Sequence, residues 1–295
     1  MVGIESIEMK KYSTRFSFMT AILGLTSLIL SSCLPEPLEV HSLPKAKPQI
    51  VVSSQIIPDE SFVVLLTKTF GALDASDDSD PEELLSLIAI NDAIVTIKGP
   101  AGVDTLEFVG NGIYGSNSIN FEISERYELY VTSASMGSVY AATEVKPTVR
   151  FESIDADLYY NNFNDTLAQI NYTLIDPPEQ NFYMINVQEI EREDVVENLL
   201  NPRAFTVLLD DAAFNAQSYS DQFRVFPRDY QPGDSIAVTL SNISEEYYRF
   251  MQLRIDNRAN FVEFISEPVN YPSNVVGGKG FFNLYVPDVR FFVFD

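Results

Sequence analysis

Tryptophan is absent from this 295-residue chain, and histidine (His41) and cysteine (Cys33) occur once each. A lone cysteine closes no disulfide within the chain, and with a lone histidine it supplies no multi-His or multi-Cys zinc centre. The same scarcity removes most catalytic triads, which turn on a positioned histidine. Basic residues are few as well: 19 against 42 acidic ones, a formal charge of −23. That field repels nucleic-acid phosphates and anionic membrane surfaces at long range, which excludes nucleic-acid binding. What is present is a hydrophobic content of 46% and an aromatic content of 12%. This is too apolar for disorder, and the length suits one large or two ordinary domains.

Lys10, Lys11 and Arg15 precede an apolar run from Phe16 to Leu30, the layout of a signal peptide and too short for an ordinary spanning helix. Leu30-Ser31-Ser32-Cys33 resembles the bacterial lipobox, whose cysteine is diacylated and becomes the new N-terminus. The chain's single cysteine stands at that position. Residues 1–33 are therefore expected to be a lipoprotein signal peptide with Cys33 as the lipid attachment site, and two or three acyl chains give stable anchoring without a transmembrane helix. Met9-Lys10-Lys11 is a usual beginning for such a peptide and Glu5 and Glu8 are out of place in one, so Met1 and Met9 both stand as starts. Leu34 follows the cysteine where an inner-membrane retention signal would resemble Asp, which implies the outer membrane. Glu36 and Glu39 are too dispersed to decide between its periplasmic and cell-surface faces. Pro35, Pro37, Pro44 and Pro48 make residues 34–48 an extended tether, and His41 within it lacks the surroundings that would orient a catalytic base.

From Ile50 onward, period-two runs of β-branched and aromatic residues such as Ile94 to Ile97 and Tyr127 to Val131 alternate with Gly- and Pro-marked turns. This predicts a mainly β chain of two sandwich-like domains, 49–147 and 148–295, with one or two short helices. Asp80-Pro81-Glu82-Glu83 ahead of Leu84 and Leu85 predicts a helix with Asp as N-cap, the strand pattern resuming within Ile88 to Ile97. Ser244 followed by Glu245 and Glu246 predicts a second helix near 244–256, its Tyr, Phe and Met stripe buried in the core. In the second half, strands are expected at Ile170 to Leu174, Phe182 to Val187, Phe205 to Leu209, Phe223 to Phe226, Ser235 to Leu240 and the aromatic end Phe291 to Phe294.

Several segments together resemble a family of Bacteroidota outer-membrane lipoproteins, domain of unknown function 4249. They are the lipobox, Ile50-Val51-Val52, Asn111-Gly112-Ile113-Tyr114, Ala141 to Val145, Asp176-Pro177-Pro178 through Tyr183, and Glu267-Pro268 through Phe282. The resemblance implies an N-terminal immunoglobulin-like or transthyretin-like domain, a second β-rich domain, and genes that accompany TonB-dependent receptors; it supplies no catalytic residues. The motifs themselves read structurally: the prolines force a turn before Phe182, and Gly277 to Gly280 form a loop that needs positive φ.

Four groups of residues carry candidate chemistry. Asp155, Asp157, Asp210 and Asp211 are the carboxylates available for paired acid–base work of the glycosidase type. Calcium is the ion that oxygen-rich segments would take. The candidates are Asp74, Asp77, Asp78 and Asp80, or Asp155, Asp157, Asn161, Asn164 and Asp165; neither set has EF-hand spacing, and a solvated acidic loop explains both. Thr105, Thr166 and Ser235 lie in Asp-Ser/Thr-aliphatic tripeptides that resemble Bacteroidota O-glycosylation acceptors. Tyr159, Tyr160, Asn161 and Asn162, read as a loop, combine aromatic and amide groups suited to a glycan or peptide ligand. The expectation that follows is a non-enzymatic, outer-membrane lipoprotein without a resident cofactor, acting as a binding or accessory subunit beside a TonB-dependent transporter. A structural or adhesive module binding another protein is the alternative, and a carboxylate-based hydrolase the third reading.

Overall fold

A computed structural model describes residues 47–57, 61–70, 81–162, 165–190, 205–225, 229–258 and 271–295. The lipobox, the tether through residue 46 with His41, and the Asp74 to Asp80 insert lie outside them.

The first sandwich opens with β1 (Ile50–Ile57) and β2 (Ser61–Lys68), an antiparallel hairpin whose alternate side chains, Val52, Phe62, Val64 and Leu66, are buried. Period-two burial of this kind lets one face pack while the other meets water. Helix α1 (Pro81–Ile88) begins at Pro81, where the missing N–H costs no hydrogen bond. Ile88 is still helical, Ala89 bridges to Thr67, and the strand pattern resumes only at β3 (Ala93–Gly99). Next come β4 (Gly102–Thr105), β5 (Glu107–Gly110), β6 (Ile113–Ser116), β7 (Arg126–Ser133) and β8 (Gly137–Glu144). Between β4 and β5 the chain changes sheets at Leu106, which is buried and donates its N–H to the Val95 carbonyl at 2.9 Å. The β5–β6 turn places Asn111 and Gly112 at φ of 47° and 75°, the positive pair that matches strand twist.

The second sandwich is built from β9 (Phe151–Tyr160), β10 (Thr166–Ile175), β11 (Phe182–Glu189), β12 (Phe205–Asp210), β13 (Ser218–Val225), β14 (Ser235–Ile243) and β17 (Asp288–Val293). Its sheets run β13-β10-β9 and β12-β11-β14-β17. Between them lies a core that includes Ile170, Leu174, Tyr183, Ile185, Val238 and Leu240.

The connection from β14 to β17 departs from the expected division of the chain. It carries helix α2 (Glu245–Arg258) and then the short strands β15 (Val275–Val276) and β16 (Lys279–Phe281). Ser244 caps α2 by accepting the Tyr247 N–H at 3.2 Å, and Tyr247, Tyr248, Phe250 and Met251 pack with Phe182 and Met184 in a separate apolar cluster. β15 pairs antiparallel with β8 and β16 parallel with β1, so each extends one sheet of the first sandwich. That sandwich is therefore two five-stranded sheets, β16-β1-β2-β6-β5 and β15-β8-β7-β3-β4. The segment 148–295 does not stay within one sandwich. The reason is backbone satisfaction: without the strap, the outer edges of β1 and β8 would present unpaired N–H and C=O groups.

Glycine makes this approach possible at one point. Gly280 has φ +93°, and a Cβ there would lie 2.0 Å from the Val52 carbonyl oxygen. Asn274 fixes the strap from the side, accepting the Phe282 N–H at 2.9 Å and donating to its carbonyl at 2.8 Å. Residues 47–295 form one compact unit. No helix among the described residues is long and apolar enough to cross a membrane.

Candidate functional site

Strands β9, β10 and β13 turn one face to the core and the other to solvent. Ile154, Ala156, Ile170, Tyr172 and Phe223 point inward, so Ser153, Asp155, Asp157 and Tyr159 of β9 point out. Register aligns them with neighbours far away in sequence. Ser153 faces Thr173, which faces Ser220; Asp155 faces Asn171, which faces Gln222; Asp157 faces Gln169, which faces Arg224. The first two rows line a shallow depression of about 510 Å³.

Several of these groups hold one another. Thr173 and Ser220 share a hydroxyl hydrogen bond of 2.8 Å, and Arg224 donates to the Gln169 side chain at 3.1 Å. The guanidinium of Arg224 lies 3.6 Å above the Tyr159 ring, a cation–π contact that covers that face of the ring. Asp155 and Asp157, two apart on one strand, meet on the same side. The hydrogen bond that its protonated form donates to Asp155, followed by repulsion between the two charges, pushes the Asp157 carboxyl above its ordinary value.

The structure rearranges the residues picked out from sequence. Tyr159 and Tyr160 occupy the last two positions of strand β9 rather than a loop, because β9 runs on past its acidic centre to Tyr160. Asn161 closes the β9–β10 hairpin. It donates its side-chain amide to Asp165 at 2.8 Å, accepts the Asp165 N–H at 2.9 Å, and its backbone N–H bonds the Asp165 carbonyl at 3.0 Å. Asn161 and Asp165 are thereby committed to the turn, while Asp155 and Asp157 stand on the sheet face; Asn162 follows Asn161 in the turn, and Asn164 lies outside the described residues. Among the described residues no three acidic, His or Cys side chains converge to hold a metal ion. Of the tripeptide hydroxyl residues, Thr105 is exposed at the end of β4, and Thr166 and Ser235 are half-buried at the starts of β10 and β14.

The other carboxylate pair is divided. Asp210 caps the 3-10 turn Asp211–Ala213 by accepting the Ala212 N–H at 3.0 Å. Asp211 is buried and accepts the Asn181 N–H. Near it Asp176, also buried, accepts from the Tyr183 hydroxyl and, at 2.9 Å, from the Ala216 N–H. The Asp-Pro-Pro segment thus supplies a buried anchor as well as a turn, a role that Tyr183 seven residues on could have suggested. Asn171, Gln222 and Arg224 had no local signal, since only strand register brings them beside Asp155 and Asp157.

Three comparisons bear on identity. None of the curated proteins compared with the chain matches it. Among solved structures, a two-domain fibronectin type III segment of chicken tenascin is similar at 10% identity and a TM-score of 0.21, covering 66% of this chain and 91% of that one. The chicken interferon gamma receptor alpha chain is similar at 13% identity and a TM-score of 0.18, covering 67% and 90%. A family model, Domain of unknown function (DUF4249), matches residues 36–289. That match takes in nearly everything after Cys33, the first sandwich, the strap and the second sandwich up to the start of β17, and the chain belongs to this family.

Proposed function

We propose that this protein is a non-enzymatic lipoprotein of the outer membrane, tethered through Cys33 and serving as a binding or accessory subunit beside a TonB-dependent transporter. The observation that carries the binding role is the open outer face of β13-β10-β9. There a depression of about 510 Å³ is lined by hydroxyl, amide and carboxylate groups, the equipment of a surface that exchanges hydrogen bonds with a polar ligand. The lipobox supports the tether, and the formal charge of −23 keeps the folded part soluble beyond the lipid.

A second reading, an adhesive or structural module, is favoured by the other edge of the first sandwich. There β4 and β5 are edge strands and expose Val103, Phe108 and Val109, an edge open to strand addition. Affinity purification of the tagged lipoprotein from gently solubilised outer membranes, with mass spectrometry of what accompanies it, separates the two. Stoichiometric recovery of a TonB-dependent receptor is the expected result. Recovery of the lipoprotein alone at matched salt and detergent would place the adhesive module first.

A further inference from the structure

The sheet β15-β8-β7-β3-β4 also has a solvent face, and its composition differs from that of the polar face described above. Register lays Thr105, Thr96, Tyr130, Tyr140 and Val276 in one row across all five strands, about 19 Å from end to end at ordinary strand spacing. Apolar side chains stand out from this face: Ile94 and Val103 are each 64% exposed, Val276 67% and Tyr130 41%. A clustered set of this kind on a folded surface marks an interaction site.

The centre of the face is ordered without any ligand. Glu128 accepts hydrogen bonds from the hydroxyls of Tyr130 at 2.9 Å and Tyr140 at 3.0 Å, and Lys98 pairs with it at 3.4 Å. The two rings, cross-strand neighbours, lie 5.1 Å apart. Those tyrosine bonds, and then Lys98, hold the Glu128 carboxyl below its usual value. Two aromatic side chains are thus fixed in place, which removes the ordering cost that a docking partner would otherwise meet.

We propose that this face is the partner-docking surface of the protein, and that its occupant is a protein patch with an apolar centre and a lysine- or arginine-bearing rim. Charge decides the occupant. On the face itself Lys98 stands opposite Glu128 and Arg126 opposite Glu144, so the contact area is close to neutral. The whole chain carries −23, which repels a second copy and steers in a basic partner. This inference rests on the accessory-subunit reading and adds to it where the partner sits.

The test uses the full-length tagged lipoprotein in its own membrane, with a photo-reactive benzoyl-phenylalanine replacing Val276 or, as the control, Phe291, which is 71% exposed on β17 of the second sandwich and outside its polar depression. The expected result is a cross-link from the Val276 position to the same receptor that co-purifies with the wild type, and none from the Phe291 position. Tyr130→Ala with Tyr140→Ala lowers recovery of that receptor about tenfold or more at a temperature where the variant, which loses the Glu128 bonds and melts somewhat lower, is still fully folded by circular dichroism. Tyr130→Phe with Tyr140→Phe, which keeps the rings and loses only the Glu128 bonds, lowers it less. Recovery also falls as salt rises from 0.05 to 0.3 M. Undiminished recovery with the alanine pair, or a cross-link only from the Phe291 position, overturns the docking face and leaves the accessory reading standing. Recovery of the wild type alone overturns both, and a cross-link between two copies overturns the choice of partner.

Discussion

Asp211 shows at the scale of one residue how this protein stores electrostatic cost. Its side chain is almost wholly buried; one carboxylate oxygen accepts the Asn181 N–H, and the other has no hydrogen-bond partner among the described residues. Desolvation, followed by the nearby Asp176 and Asp210, raises its pKa against the lowering effect of the Asn181 amide. A carboxyl whose folded pKa lies above its unfolded one penalises the fold when ionised. The penalty is absent below the unfolded value, grows as pH rises towards the folded value, and is complete above it. Asp211→Asn keeps an acceptor for Asn181 and removes the charge. Urea unfolding at pH 7 is expected to show a higher midpoint for the variant, with the difference shrinking towards pH 4. An unchanged or lower midpoint at pH 7 would mean that the buried charge has a partner that offsets its desolvation.

At the scale of elements the strap β15–β16 sets the architecture, and Ser54 is one of its fasteners. The Ser54 hydroxyl donates to the Asn283 carbonyl at 2.9 Å and accepts the Asn283 N–H at 2.7 Å, joining residues 229 positions apart in a buried site. Ser54→Ala leaves both backbone groups without that partner, at about 1–3 kcal/mol each when buried. A loss of about 2–6 kcal/mol in denaturant unfolding is expected, together with faster amide exchange in Lys279–Phe281 than in β14. A loss near zero would show that water replaces the hydroxyl. This element was also the hardest to foresee. Strands such as β7, with Tyr127, Leu129 and Val131 buried on one side, announce themselves by alternation. Two- and three-residue strands have no period to read, and their partners, Tyr140-Ala141 and Val51 to Ser53, lie far away in sequence. The candidate site was half legible for a related reason. Asp155, Asp157 and Tyr159 stand out by composition, but Asp is depleted in strands and obscures β9. An edge strand tolerates it because the outward side chain stays in water. Asn171, Gln222 and Arg224 join the face only through register.

For the whole molecule, the strap ties the second sandwich to both sheets of the first, and the −23 charge acts on everything it ties together. At neutral pH the carboxylates repel one another, and ionising Asp211 and Asp157, whose pKa values are raised, costs the fold free energy. Mild acidification removes these costs. Further acidification reaches groups of the opposite kind. Asp92 accepts the Ser133 hydroxyl at 2.6 Å and the Ser135 N–H at 2.8 Å, bonds that lower its pKa, and Glu128 is lowered by its two tyrosines. The stability these two contribute is present above the unfolded carboxyl range and is lost as pH falls through their folded values. The melting temperature is therefore expected to peak on the acid side of neutrality, between about pH 4.5 and 6 given ordinary carboxyl values near 4. Repulsion is screened within about 10 Å at 0.1 M salt, so 0.3 M NaCl should raise the melting temperature more at pH 7.5 than at pH 5. Calorimetry across pH 3 to 8 at two salt concentrations decides it. A melting temperature that climbs steadily to pH 8, or a salt effect equal at both pH values, would show that local pairing outweighs the net charge in setting the stability of this fold.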